Sequence, residues 1–294
     1  MRMRIAGALV APLFIAFGAS AEVIPVPTQE DWNLAREIVT LPSGQQLAFV
    51  EMGDTDGKPL ILIHGYTDNS RSWSLLAPEL KGRHIYAIDL RGHGRSATPG
   101  CCYTLMDFAS DVDGFMAAKE IEKADIVGHS LGSMTAAVFS ALHPDKVEKL
   151  VLISTAADMP AGPRDWLWEN VPGLSRPIDP NSQFMLDWYA NPTPVPADFL
   201  DRERAESAAV TAEAWDGILQ ALTLTDWSPY AARIKAPVLV LWGDQDGFFD
   251  AASQDHIKAI LPQAEYETYA GHGHNMFWEI PGTVGPRIET FLGE

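Results

Sequence analysis

Apolar positions along the chain fall first into one long run and then into short blocks separated by turn residues. From residue 38 onward the blocks are 38–41, 47–52, 59–63, 84–89, 124–127, 149–154, 238–242 and 266–269. Short, nearly continuous apolar runs suit strands of a parallel sheet, which are buried on both faces. The first two flank Pro42-Ser43-Gly44 and predict a hairpin-like opening. Several of the others are separated by helical stretches, among them the Ala-rich segment 133–142. Strands alternating with helices predict an α/β architecture around one mostly parallel, eight-stranded sheet.

Between residues 157 and 234 this rhythm breaks. Prolines such as Pro163, Pro177 and Pro196 punctuate the segment, and 198–222 reads as helical. Five of the nine tryptophans lie here: Trp166, Trp168, Trp188, Trp215 and Trp227. The segment is expected to be a helical cap inserted after the sixth strand, dividing the core into 22–156 and 235–294. Its aromatics, with Phe184, Tyr189 and Phe199, imply an apolar pocket. Burying the cap against the core is an equally ordinary use for each of them.

The first 21 residues stand apart. Arg2 and Arg4 precede an apolar run to about Gly18, and Ala19-Ser20-Ala21 has the small-x-small pattern of a signal-peptidase site. The run is shorter than the ~20 residues a membrane-spanning helix needs. A cleaved signal peptide over 1–21, export to the periplasm or beyond, and no stable membrane anchor are the expectations.

Composition changes the picture in two places. The formal charge is −18, a field that repels phosphate backbones and makes nucleic acid an unsuitable partner. The only two cysteines, Cys101 and Cys102, are adjacent. Adjacent residues close only a small ring, so free thiols and a vicinal disulfide both stay open.

The strongest chemical signal is Gly128-His129-Ser130-Leu131-Gly132, placed between the block 124–127 and the helical stretch 133–142. A serine on a sharp strand-to-helix turn projects its hydroxyl from the end of a sheet, and the flanking glycines let strand and helix approach. Three further turns follow strands: His64-Gly65-Tyr66, the run from Asp89 to Ser96 containing Arg91-Gly92-His93-Gly94, and Gly243-Asp244-Gln245-Asp246. A fourth, Gly271-His272-Gly273-His274, follows the last strand.

In this order the motifs resemble those of the α/β-hydrolase family, over nearly all the chain between residue 22 and the end except the cap. The resemblance implies Ser130 as nucleophile, with an acid after the seventh strand and a histidine after the last. It selects Asp246, three residues after Gly243, over Asp244; some members carry the acid after the sixth strand, where Asp158 stands. It selects His274 over His272, because Gly273-His274 precedes Glu279 and Pro281 in the family's register. It implies backbone donors at Tyr66 and Leu131 for an oxyanion. Trp73, His129, Trp166 and Trp188 are the candidate substrate-binding residues.

His64 reads as a structural residue of its loop, and His84, His93, His143 and His256 as structural or surface residues. A zinc site built from His64, His129, His272 and His274 lacks metal-ligand spacing, and no cofactor is required. Serine at the turn disfavours the related chemistries that use aspartate there. The expected activity is hydrolysis of a carboxylic ester or lactone of an apolar or aromatic small molecule through an acyl-enzyme. The alternatives are carbon–carbon bond hydrolysis of a diketone, and a non-catalytic ligand receptor on the same scaffold.

Overall fold

The computed structural model describes residues 22–293. The expected signal peptide, residues 1–21, lies outside the described residues. Among the described residues nine strands form one sheet: β1 (Val23–Ile24), β2 (Arg36–Thr40), β3 (Gln46–Asp54), β4 (Lys58–Ile63), β5 (Arg83–Ile88), β6 (Ala124–His129), β7 (Val147–Ile153), β8 (Val238–Gly243) and β9 (Glu265–Tyr269). Their order is β1-β3-β5-β4-β6-β7-β8-β9, with β2 also paired to β3. From β5 across to β9 all neighbours are parallel, whereas β1, β2 and β5 run antiparallel to β3. The expected eight strands are all present. The ninth is the two-residue β1, too short to leave a periodic signal.

The helices are α1 (Trp32–Ala35), α2 (Leu105–Ala118), α3 (Leu131–Leu142), α4 (Ala161–Asn170), α5 (Gln183–Trp188), α6 (Ala197–Ala208), α7 (Ala212–Thr223), α8 (Ala251–Ile260), α9 (Met276–Glu279) and α10 (Pro281–Gly293). Among the described residues no helix is long and apolar enough to cross a membrane. The chain between β7 and β8 holds α4 to α7. The stretch 198–222, expected as continuous helix, is broken at Ala209–Thr211, where the Thr211 side chain accepts from the Ala214 amide and starts α7.

The core follows from the apolar blocks: all six residues of β6 and of β8 are buried, as are the last four of β4, β5 and β7. Register then fixes where chemistry can sit. Ile63 pairs with Gly128, His129 with Ile153, Ile153 with Leu241, and Gly243 with Tyr269. The turns after β4, β6, β7, β8 and β9 therefore open at the same end of the sheet, outside the strands' carboxyl ends, where open α/β sheets bind ligands.

Candidate active site

Ser130 links β6 directly to α3 with φ 52° and ψ −120°, a left-handed conformation that L-residues adopt only under local constraint. The two flanking glycines make the constraint possible. A Cβ on Gly128 would lie 2.3 Å from the Gly132 carbonyl oxygen, and one on Gly132 would lie 2.1 Å from that of Ile63. Strand, turn and helix thus approach as closely as backbone allows. The Ser130 amide donates to the Ile153 carbonyl at 3.0 Å, which ties the turn to β7.

Facing this turn, the loop after β9 presents His274, whose Nδ1 lies 2.9 Å from each carboxylate oxygen of Asp246. The Asp246 side chain is fully buried and that of His274 is 14% exposed. Asp246 is itself held, with Oδ1 accepting from the amides of Phe248 at 2.8 Å and Phe249 at 3.0 Å. An imidazole hydrogen-bonded at Nδ1 to a carboxylate keeps Nε2 free to take a proton. The His274 main chain is fixed from behind. Its carbonyl accepts from Ser154 Oγ at 2.7 Å and lies 3.1 Å from Nε2 of His129.

The rival candidates are engaged elsewhere. Nδ1 of His272 lies 2.9 Å from Glu279, which also accepts from the Gly273 amide. Asp244 is exposed and clamps the same loop, accepting from the Gly271 amide at 2.7 Å; that bond holds its carboxyl below the usual range. Asp158 is more than half exposed, 3.6 Å from His256. His64 is buried with both ring nitrogens used locally: Nε2 accepts from the Leu90 amide at 2.9 Å, and Nδ1 lies 2.8 Å from the Gly65 carbonyl. Burial holds it well below its ordinary pKa. Among the described residues no group of three or more His, Cys, Asp or Glu side chains is arranged to hold a metal ion. Cys101 and Cys102 are joined as a vicinal disulfide.

One cavity joins these parts, with an empty volume of about 540 Å³ that includes open solvent at its mouth. Ser130, His274, Tyr66 and Leu131 line it together with apolar side chains of the core and of the segment between β7 and β8. Leu131 opens α3, so its amide has no intrahelical acceptor. Among the described residues no acceptor takes the amide of Tyr66 either. Trp188 lines the cavity, edge-on to Tyr66, and its indole nitrogen donates to Thr67 Oγ1 at 3.0 Å.

Two of the expected substrate contacts lie off this cavity. Trp73 is buried at 0% exposure behind the cavity wall, packed on Phe277. Its ring fills core space. Trp166 lies one layer out, stacked on Trp188 and facing an outer groove that His274 also lines. His129 lies along the cavity with only 1% exposure. Sequence reasoning missed Asp68, a cavity-lining carboxyl, and Phe248 and Phe249, whose amides hold Asp246. The Phe-Phe pair that follows the acid after one glycine was the available signal.

The comparisons agree with this architecture. Residues 58–281 match the model of the alpha/beta hydrolase fold family. The chain is 28% identical to lipase 1 of Psychrobacter immobilis, over 90% of this chain and 86% of that one. It is 27% identical to lipase 3 of a Moraxella strain, over 91% and 87%. A solved structure described as a membrane phospholipase A superposes with TM-score 0.77 at 28% identity, over 88% of this chain and 85% of that one. This chain belongs to the α/β-hydrolase fold family, with lipases among its relatives.

Proposed function

We propose that the protein is a serine hydrolase that cleaves a carboxylic ester or lactone of an apolar or aromatic small molecule through an acyl-enzyme. The observation that carries the reading is a single constellation: Ser130 on a strained turn shares one apolar cavity with a histidine hydrogen-bonded to a buried carboxylate. His274 takes the proton of Ser130 as its oxygen attacks the acyl carbonyl. The amides of Tyr66 and Leu131 receive the negative charge on the former carbonyl oxygen. His274 then protonates the leaving alkoxide, and water repeats the sequence to release the acid. Asp246 keeps the proton of the neutral ring on Nδ1 and stabilises the imidazolium that forms.

The lipase relatives favour ester chemistry over carbon–carbon cleavage, and the apolar lining favours an uncharged acyl group. The helices between β7 and β8 act as a cap over the cavity. Export is part of the same proposal and rests on Arg2, Arg4, the apolar run and Ala19-Ser20-Ala21. The test is hydrolysis of p-nitrophenyl esters of increasing acyl length by the protein and its Ser130→Ala variant. Loss of activity in the variant, by a factor on the order of 10⁴ or more, is the expected result. A folded protein inactive on every ester and unlabelled at Ser130 would overturn the reading and leave a ligand receptor.

A further inference from the structure

His129, the residue before the nucleophile, is buried at 1% exposure. Its Nε2 lies 3.1 Å from the main-chain oxygen of His274. A carbonyl can only accept, so Nε2 carries the hydrogen, and on a neutral ring Nδ1 is a bare lone pair. Burial, and then the nearby charge of His274, hold the ring well below its ordinary pKa, which keeps it neutral. Among the described residues Nδ1 has no hydrogen-bond partner. The polar atom it faces is Oδ2 of Asp68, 3.8 Å away.

Two acceptors facing each other in a buried site are unfavourable unless one of them holds a proton. Asp68 is 5% exposed, and its other oxygen accepts from the Tyr189 hydroxyl at 2.9 Å. Both Oδ2 and Nδ1 rest on the face of Gly65, where a Cβ would come within 2.8 Å of the first and 3.0 Å of the second. The glycine leaves room for them to meet. The remaining gap exceeds a hydrogen bond by only about 1 Å.

We propose that Asp68 works as a neutral carboxylic acid that donates from Oδ2 to Nδ1 of His129. A chain of hydrogen bonds then runs from Tyr189 through Asp68 and His129 to the carbonyl of His274, making Asp68 a positioning residue for the base. The inference rests on the proposed role of His274. The groups facing Asp68 are His129 at the end of β6, Tyr189 after α5, His274 after β9 and, behind Tyr189, Glu203 of α6. Glu203 in turn lies near Arg71 and Glu206. Burial raises the Asp68 carboxyl to about 7, against the lowering effects of the Tyr189 bond, of His274 and of a hydrogen bond from the Gly65 backbone. Above that pH the carboxylate loses its proton. The donor to His129 disappears, and a negative charge stands two residues from the Tyr66 amide, where the oxyanion develops.

The test is a difference infrared spectrum, wild type minus Asp68→Asn, recorded from about pH 5 to about pH 9. It is paired with kcat/KM on a p-nitrophenyl ester over the same range. Asparagine mimics the neutral acid, because it donates to Nδ1 and accepts from Tyr189. The wild type should show the carbonyl stretch of a protonated carboxyl, lost with a midpoint near pH 7. Its kcat/KM should fall on the alkaline side through the same midpoint with the slope of one proton, and Asp68→Asn should lack that limb. A purely structural Asp68 would lower kcat/KM equally at all pH values.

Tyr189→Phe removes a bond that favours the ionised form, so the midpoint should move upward. Absence of the protonated-carboxyl band at every pH, an alkaline limb that survives in Asp68→Asn, or a midpoint unmoved in Tyr189→Phe would each overturn the inference. The infrared signal requires no turnover, so a protein that shows the band but never labels at Ser130 defeats the proposed function and not the hydrogen-bond chain.

Discussion

At the scale of single residues, the site depends on atoms that are absent as much as on those present. Gly128 and Gly132 carry no Cβ where one would strike backbone oxygens at 2.3 and 2.1 Å, and this closeness lets Ser130 hold its left-handed turn. The pattern Gly-x-Ser-x-Gly was legible because it states a steric requirement that local sequence alone can meet. Choosing between His272 and His274 needed the family's register, since both follow glycines within one short loop. In the structure each faces its own acid, Glu279 for His272 and Asp246 for His274. Comparing His274→Ala with His272→Ala on one ester should therefore give much the larger fall in kcat for His274, on the order of 10⁴-fold or more. A larger fall for His272 would exchange their roles. Asp68 was not legible as a site residue, because its partner Tyr189 lies 121 positions away and nothing local marks the pair.

Among the elements, strands and inserted helices differed in how plainly the sequence announced them. The central strands are buried on both faces, so their apolar blocks carry the signal directly. Helix α6 does the opposite. With Phe199, it buries Glu203 and Ser207 on one face, and its Glu206 reaches two core arginines, so hydrophobic periodicity is nearly silent there. Glu206 lies 2.6 Å from Arg71 and 3.0 Å from Arg36, whose side chains are 1% and 2% exposed. Burial opposes its ionisation, but hydrogen bonds and charge from the two guanidiniums hold the carboxyl below the usual range. These pairs, with Arg36 also 3.2 Å from Asp89, fasten α6 to the first residue of β2 and to the loop after β4. Glu206→Gln leaves two buried cations short of one counter-charge, and a loss of about 3 kcal/mol is expected in urea unfolding. A loss below about 0.5 kcal/mol, the size of an ordinary surface change, would show that the network does not hold the helix down.

The whole molecule carries its charge unevenly with pH. Burial raises Asp68 to about 7 and Asp125 to about 6, the latter despite its pair with Arg83 at 2.9 Å. A carboxyl whose folded pKa is raised contributes stability that is present in full below its unfolded value and is lost as pH rises through the folded value. Both groups therefore weaken the fold between about pH 4 and pH 7, and the formal charge of −18 at pH 7 adds self-repulsion in the same direction. Buried His64, His93 and His129, whose pKa values burial lowers, act in the opposite sense over the same range. The two carboxyls are therefore read from a difference: from pH 5.5 to pH 8 the wild type should lose melting temperature relative to an Asp68→Asn, Asp125→Asn variant. A difference that stays constant or grows in the wild type's favour over this interval would contradict the assignment of these two carboxyls.

The central claim is that Ser130 is the nucleophile, and covalent capture tests it most directly. The protein, its Ser130→Ala variant and its His274→Ala variant would be treated with a fluorophosphonate probe and the modified peptide mapped by mass spectrometry. The account predicts one adduct, on Ser130, absent in Ser130→Ala and formed far more slowly in His274→Ala. An adduct on another residue, or equal labelling in the Ser130→Ala variant, would contradict it.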